Sequence, residues 1–203
     1  MKKLDLTIII PTRNRSNTLL KTLKKLNNNN FFFKEIIIID SSDEFHKSKI
    51  IKFKILKKLN IKIINSVPSA AHQRNVGLQN IKNKRKYVMF LDDDIFFHKN
   101  AFKNMYHFIK NDKNSIGFGF NFNIKNLGSI FENLKKNKFT KFLGVYDVED
   151  GVVTPSGWHT KAVNLKKNKS VEWLPTGAVI YKNKNIGKLK FDTYYGKYSY
   201  LED

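Results

Sequence analysis

Asp92-Asp93-Asp94 is the stretch of this 203-residue chain richest in chemistry. Three adjacent carboxylates repel one another and are costly at a half-buried strand end without a cation. In an extended segment the side chains at i and i+2 project the same way, so Asp92 and Asp94 are expected to converge. Hard oxygen ligands of this kind suit Mg²⁺ or Mn²⁺, which keep waters and share a site with substrate phosphates. Helix capping by Asp94, ahead of the segment containing Ala101, is the competing explanation.

Arginine placement points to the same neighbourhood. The chain has 38 Lys+Arg against 17 Asp+Glu, a net charge of +21, yet its only arginines are Arg13, Arg15, Arg74 and Arg85. Three of them lie in Pro11-Thr12-Arg13-Asn14-Arg15 and His72-Gln73-Arg74-Asn75-Val76-Gly77, each placed beyond an apolar run. A guanidinium offers carboxylate or phosphate a planar fork that an ammonium cannot reproduce. Simple pairing with Asp40, Asp43 or the triplet would also explain these arginines, and both readings can hold together. Arg85 precedes the run that ends in the triplet and is expected at the opposite sheet edge.

The elements that must position these residues alternate in period. Leu6–Ile10, Glu35–Ile39, Ile61–Ile64 and Lys86–Leu91 are apolar, β-branched runs that read as strands, with Pro11 expected to close the first. Between them Leu19, Leu20, Leu23 and Leu26 recur at helical spacing, with Ser16 or Asn17 available as N-cap. Ile51, Ile55 and Leu59 suggest a second helical stripe, residues 70–81 a third helix, and Ala101, Met105 and Phe108 or Ile109 a fourth. Such alternation predicts an α/β fold with a mostly parallel sheet covered by helices on both faces. Ligands of open α/β sheets bind at the C-terminal strand edge, where the Asp- and Arg-bearing loops fall. Gly77 inside a helix costs about 1 kcal/mol relative to Ala. Either a close approach or a tolerated surface position would account for it.

Beyond residue 115, glycines punctuate short aromatic segments that read as antiparallel strands and loops. Trp158 and Trp173 lie there, as core residues or as platforms for a sugar face. The five His form no H-E-x-x-H and no paired ligand spacing, so they read as packing or surface residues. Without Cys, disulfides, thiolate metal sites and Cys nucleophiles are excluded. Lys is spread over every polar stretch, which argues against a nucleic-acid partner and leaves weak peripheral attraction to an anionic membrane surface. No apolar run reaches the roughly 18–20 residues that span a bilayer. The expected compartment is the cytoplasm or the inner face of its membrane.

An ordered set of segments resembles glycosyltransferase family 2, with the GT-A fold. It comprises Thr7-Ile8-Ile9-Ile10-Pro11-Thr12-Arg13-Asn14-Arg15, Ile39-Asp40-Ser41-Ser42-Asp43, Arg74-Asn75-Val76-Gly77 and Phe90-Leu91-Asp92-Asp93-Asp94. Trp173-Leu174-Pro175-Thr176-Gly177-Ala178 and Tyr198-Ser199-Tyr200-Leu201-Glu202-Asp203 complete it. The resemblance implies a metal-dependent, inverting transfer of sugar from a nucleotide-diphosphate donor to a saccharide or other hydroxyl acceptor, in polysaccharide or glycan synthesis. It implies one GT-A domain over 1–203, Rossmann-like, with residues 1–110 as the nucleotide-sugar half and 111–203 as a smaller irregular and antiparallel acceptor half.

The resemblance also assigns roles. Pro11, Thr12 and Arg13 would border the nucleotide, Asp40 would accept hydrogen bonds from its base, and Arg74 would lie near the nucleotide or brace the Asp cluster. Within the triplet one Asp would meet the ribose and another the Mn²⁺ or Mg²⁺ ion. Asp94 with Asp92 fits the metal spacing best, and Asp93 falls on the nucleotide side. Trp158, Trp173 and Gly177 would line the acceptor side, and Asp203, beside Glu202, would be the base. The family continues with a helix behind that base, whereas this chain ends at Asp203, so slow transfer is expected of it. The alternatives are a non-catalytic sugar-nucleotide-binding domain, a nucleotidyltransferase of similar architecture, or a dehalogenase-like phosphatase. The last two fit poorly, because there is no Gly-rich loop after the first strand and D-x-D follows the fourth.

Overall fold

The structure, a computed structural model, describes residues 3–82, 85–123, 138–144, 147, 149–187 and 190–194. It divides into two compact units, Met1–Phe118 with Thr176–Asp203 and Gly119–Pro175.

The first unit is built on a six-stranded sheet with order β3-β2-β1-β4-β6-β5. Its strands are β1 (Leu6–Thr12), β2 (Glu35–Asp40), β3 (Ile61–Asn65), β4 (Tyr87–Leu91), β5 (Gly117–Gly119) and β6 (Ala178–Lys182). β1 pairs in parallel with β2 and β4, and β2 with β3, while β6 runs antiparallel to β4. Ile8, Ile9 and Ile10 of β1 and Ile36 to Ile39 of β2 are fully buried. Burying each such side chain contributes about 1.5–3 kcal/mol. A strand buried on both faces cannot alternate polar and apolar residues, and these do not.

Four main helices complete the unit: α1 (Ser16–Asn27), α2 (Glu44–Ile51), α3 (Ala70–Gln79) and α4 (Ala101–Asn111). α1 buries Leu19, Leu23 and Leu26, and α4 buries Phe102, Met105 and Ile109. The chain steps from β1 to β2 to β3 in one direction and then returns past both to β4. Right-handed crossovers therefore put α1 and α2 on one face and α3 on the other. The order reverses between β1 and β4, which makes their C-terminal ends the switch point where open α/β sheets bind ligands.

Three local expectations are corrected. Pro11 does not close β1, which continues to Thr12 opposite Asp40. Thr12 directs its carbonyl to Ser41 N, toward β2, so Pro11, one residue earlier, faces the β4 side. There the ladder has already ended at Ile9, and the missing N–H costs no sheet bond. The Ile51, Ile55 and Leu59 stripe is not one helix. α2 ends at Ile51, whose side chain is 71% exposed, and a 3₁₀ turn over Lys54–Lys57 follows, with Ile50 and Leu59 buried instead. Finally, neither Ser16 nor Asn17 caps α1. Arg15 occupies the N-cap position without a side-chain cap bond, and Ser16 Oγ instead meets His46 Nδ1 at 2.9 Å.

In the second unit, α5 (Lys138–Phe142) accompanies loops joined by the bridges Phe122–Val163 and Val153–His159. His159 is buried and lies in a stack, 5.6 Å from the Trp158 ring and 3.7 Å from the Trp173 ring by centroid. The two tryptophans thus pack on a histidine. Back in the first unit, α6 (Asn183–Ile186) follows β6. No helix among the described residues is long and apolar enough to cross a membrane.

Candidate active site

Asp93 is the hub at the switch point. Its carboxylate is buried, accepts a 2.6 Å hydrogen bond from the Thr12 hydroxyl, and takes Arg15 Nη1 at 3.2 Å. Its carbonyl accepts from the Thr22 hydroxyl at 2.7 Å. The ends of β1, α1 and β4 are thereby tied at one residue. Burial pushes the Asp93 carboxyl above its ordinary value of 3.8, against the opposite pull of Thr12 and Arg15. The same carboxylate, with help from Asp94, raises the Arg15 guanidinium.

The outer members of the triplet pair with different arginines. Asp94, about half exposed, pairs with Arg15 at 2.8 Å, and Asp92 pairs with Arg74 Nη2 at 3.2 Å. The strand period on which convergence of Asp92 and Asp94 is expected stops short of them, because β4 ends at Leu91. The backbone leaves the extended state after Leu91 and turns at Asp93-Asp94, so the two-residue period of a strand no longer applies. The arginines supply the cation that three adjacent carboxylates need, as the pairing reading foresaw. Asp93 and Asp94 share one and Asp92 has another.

Around this hub the loops interlock. Asp40 is buried, and its Oδ1 accepts from Ser42 N at 2.9 Å. Asn14 sits at a φ of 54°; its N–H donates to Ser42 Oγ at 2.8 Å, and its Oδ1 accepts from the Asp43 N–H at 2.9 Å. Gln73 Nε2 bridges the carbonyls of Thr12 and Ile39, closing β1 onto β2 from α3. Asn75 clamps the backbone of Phe191 with two 2.8 Å bonds, and the Phe191 ring lies 5.5 Å from the Arg74 guanidinium. The Asp92 N–H donates to the Gly177 carbonyl at 2.9 Å. Gly77 is the close approach that its helical position suggested, since a Cβ there would sit 2.4 Å from Ile9 Cγ2.

Of the residues singled out from sequence, Pro11, Thr12, Asp40, Arg74, Asp92, Asp93, Asp94 and Gly177 meet at this edge. Arg13 is exposed and takes no part in the Asp cluster, which pairs with Arg15 and Arg74 instead. Arg85 lies at the other sheet edge, 3.0 Å from Asp5 and 3.7 Å from Glu35. Trp158 and Trp173 belong to the second unit, and Glu202 and Asp203 lie outside the described residues. Sequence reasoning missed Thr22 and Gln73. Thr22 had a signal, as a polar residue on the leucine face of α1.

Among the described residues no three His, Asp or Glu form a ready cage for a metal ion. The donors still fit a metal shared with a ligand. Mg²⁺ and Mn²⁺ need only one or two carboxylates when phosphates and waters complete the shell, and Asp94 and Asp92 have side chains 48% and 39% exposed.

Residues 7–169 match the family model for glycosyl transferase family 2. The chain belongs to glycosyltransferase family 2. Minor teichoic acid biosynthesis protein GgaA of Bacillus subtilis (strain 168) is 44% identical over 72 residues, which are 34% of this chain and 15% of that protein. Among solved structures, the mannosyltransferase PcManGT from Pyrobaculum calidifontis, in complex with GDP-Man and Mn²⁺, superposes with a TM-score of 0.63 at 14% identity. That match covers 96% of this chain and 49% of the mannosyltransferase. S. aureus TarS 1–349 gives a TM-score of 0.59 at 21% identity, over 96% of this chain and 51% of TarS. The family member described here therefore has the GT-A fold, and it spans about half the length of these solved structures.

Proposed function

We propose that this family member transfers a sugar from a nucleoside-diphosphate donor to a hydroxyl acceptor, with inversion at the anomeric carbon, in the synthesis of a cell-surface polysaccharide or related glycan. The carrying observation is the Asp93 hub at the β1/β4 switch point, which aims Asp92 and Asp94 outward between two arginines. In this reading Pro11, Thr12 and Arg13 border the nucleotide, Asp40 receives its base, and Asp92 and Asp93 serve the ribose side. Arg74 braces Asp92, and Arg15 restrains Asp94 until phosphate arrives. Asp94, with Asp92, would hold Mn²⁺ or Mg²⁺, which as a Lewis acid offsets the charge of the departing diphosphate.

A sugar hydroxyl is a poor nucleophile, so a carboxylate must take its proton as the new bond forms. Asp203, with Glu202 beside it, is assigned that role from the family pattern. The acceptor oxygen bonds to the anomeric carbon as the bond to the diphosphate breaks, and the proton passes to Asp203. Trp158, Trp173 and Gly177 are assigned to the acceptor side. GgaA, named for teichoic acid biosynthesis, supports a polymer product, and the GDP-Man and Mn²⁺ of the mannosyltransferase support donor and metal class.

Incubating the protein with a panel of sugar nucleotides, Mn²⁺ and candidate glycans, and following nucleoside diphosphate release, tests this reading. Release that needs both Asp94 and Asp203 supports it. Tight donor binding without release under every acceptor would favour a sugar-nucleotide-binding role instead.

A further inference from the structure

β6 runs antiparallel to β4 and places Lys182 opposite Tyr87. The end of β6 and the start of α6 therefore meet the start of β4 and the end of α4, at the edge of the sheet remote from Asp92–Asp94. These four segments enclose an open groove with a cavity volume of about 600 Å³, within the range of ligand sites. Six of its ten lining residues are cations: Arg85, Lys86, Lys110, Lys113, Lys182 and Lys184. Over the whole chain only 38 of 203 residues are Lys or Arg, so the groove is enriched well above an already basic background.

Some of this charge is committed. Arg85 serves Asp5 and Glu35, and Lys182 Nζ donates to the Lys113 carbonyl at 2.7 Å. The one acid in the lining, Asp112, is occupied by the Ser115 hydroxyl and by the backbone N–H groups of Asn114 and Ser115. Lys86, Lys110, Lys113 and Lys184 are exposed and have no carboxylate partner among the described residues. Lys110 in the last turn of α4 also suits the helix dipole, which accounts for one lysine and not four. Lysine ammoniums bind phosphate as point charges. Strung along an open groove, they fit several phosphates in a row better than one. A bilayer would meet projecting apolar side chains rather than a concavity, and a nucleic acid would want stacking platforms, where the groove offers only half-buried Tyr87.

We propose that this groove binds a linear phosphate polyanion without bases, separately from the donor site. The run from Lys86 to Asp92, which contains the five residues of β4, separates the two by roughly 20 Å. The test measures binding of fluorescein-labelled polyphosphate by anisotropy over a salt series. The variants are K110E/K113E/K184E and, as a charge-matched control, K21E/K24E/K25E on the exposed face of α1. The groove variant should lose at least tenfold in affinity, and its salt slope should fall by about two to three, near 0.7–0.9 per lost contact. The control should lose less than threefold, and nucleoside diphosphates with Mn²⁺ should not displace the polymer. Equal losses in both variants, displacement by nucleotide, or tighter binding of a length-matched single-stranded DNA would overturn the proposal. So would groove-dependent capture by phosphatidylglycerol vesicles without polyphosphate binding.

Discussion

The Thr12 hydroxyl donates a 2.6 Å hydrogen bond to the buried Asp93 carboxylate, joining residues 81 apart in sequence at the ends of β1 and β4. One bond thus fixes the switch point of the sheet and the middle member of the triplet. Thr12→Val keeps the shape and removes the donor. Hydrogen bonds to charged groups contribute about 1.5–3 kcal/mol. Urea denaturation should show a loss of that order for Thr12→Val and most of it restored in Thr12→Ser. A loss equal in both would assign the effect to packing.

Gly77 permits α3 to lie against β1. With a Cβ the helix would press on Ile9 Cγ2 at 2.4 Å, and overpacking of this kind costs about 1–3 kcal/mol. Gly77→Ala should destabilise by that amount. In an Ile9→Ala background it should cost much less, because the clashing methyl is gone. Additive losses would show that Gly77 is needed for another reason.

Arg15 and a metal ion would compete for Asp94. Arg15→Ala should tighten Mn²⁺ binding several-fold in the absence of nucleotide, read by the free-ion signal in electron paramagnetic resonance. Arg13→Ala, outside the Asp cluster, should leave that affinity unchanged. Equal effects of the two substitutions would remove the special role of Arg15.

The opposite sheet edge carries a pH dependence. Burial pulls the Asp5 carboxyl upward, but hydrogen bonds from Lys34 and Arg85 outweigh it and hold the group below its ordinary 3.8. A depressed carboxyl stabilises the fold fully above the unfolded value and loses that contribution as pH falls through the folded one. The stability gap between the protein and its Asp5→Asn variant should therefore be constant from pH 7 to about 5 and close below pH 4. A gap that widened on acidification would contradict the sign.

Much of this was legible before the structure. Strands buried on both faces announce themselves as apolar runs, and Ile36–Ile39 could hardly be anything else. The edge loops followed, because parallel strands send Thr12, Asp40 and Asp92 to one side. What stayed hidden depended on geometry beyond the local pattern. Pro11 is tolerated because of where a neighbouring ladder stops. Arg15, not Arg13, reaches the triplet because the loop at Asn14 turns through a positive φ. Ile50 replaces Ile51 in the core because α2 ends there and the stripe restarts as a 3₁₀ turn. The antiparallel entry of β6 beside β4 came from residues more than eighty positions away, with no periodic signal to announce it.

The most direct test of the donor-site account is a melting series with a nucleoside diphosphate at a hundred times its dissociation constant, with and without Mn²⁺. Ligand at that excess adds about 2.7 kcal/mol, which for a chain of this size raises Tm by roughly 5–10 °C. The account predicts that this rise needs the metal and disappears in Asp94→Ala, while Arg85→Lys keeps it. An equal rise in EDTA and in Asp94→Ala would contradict it.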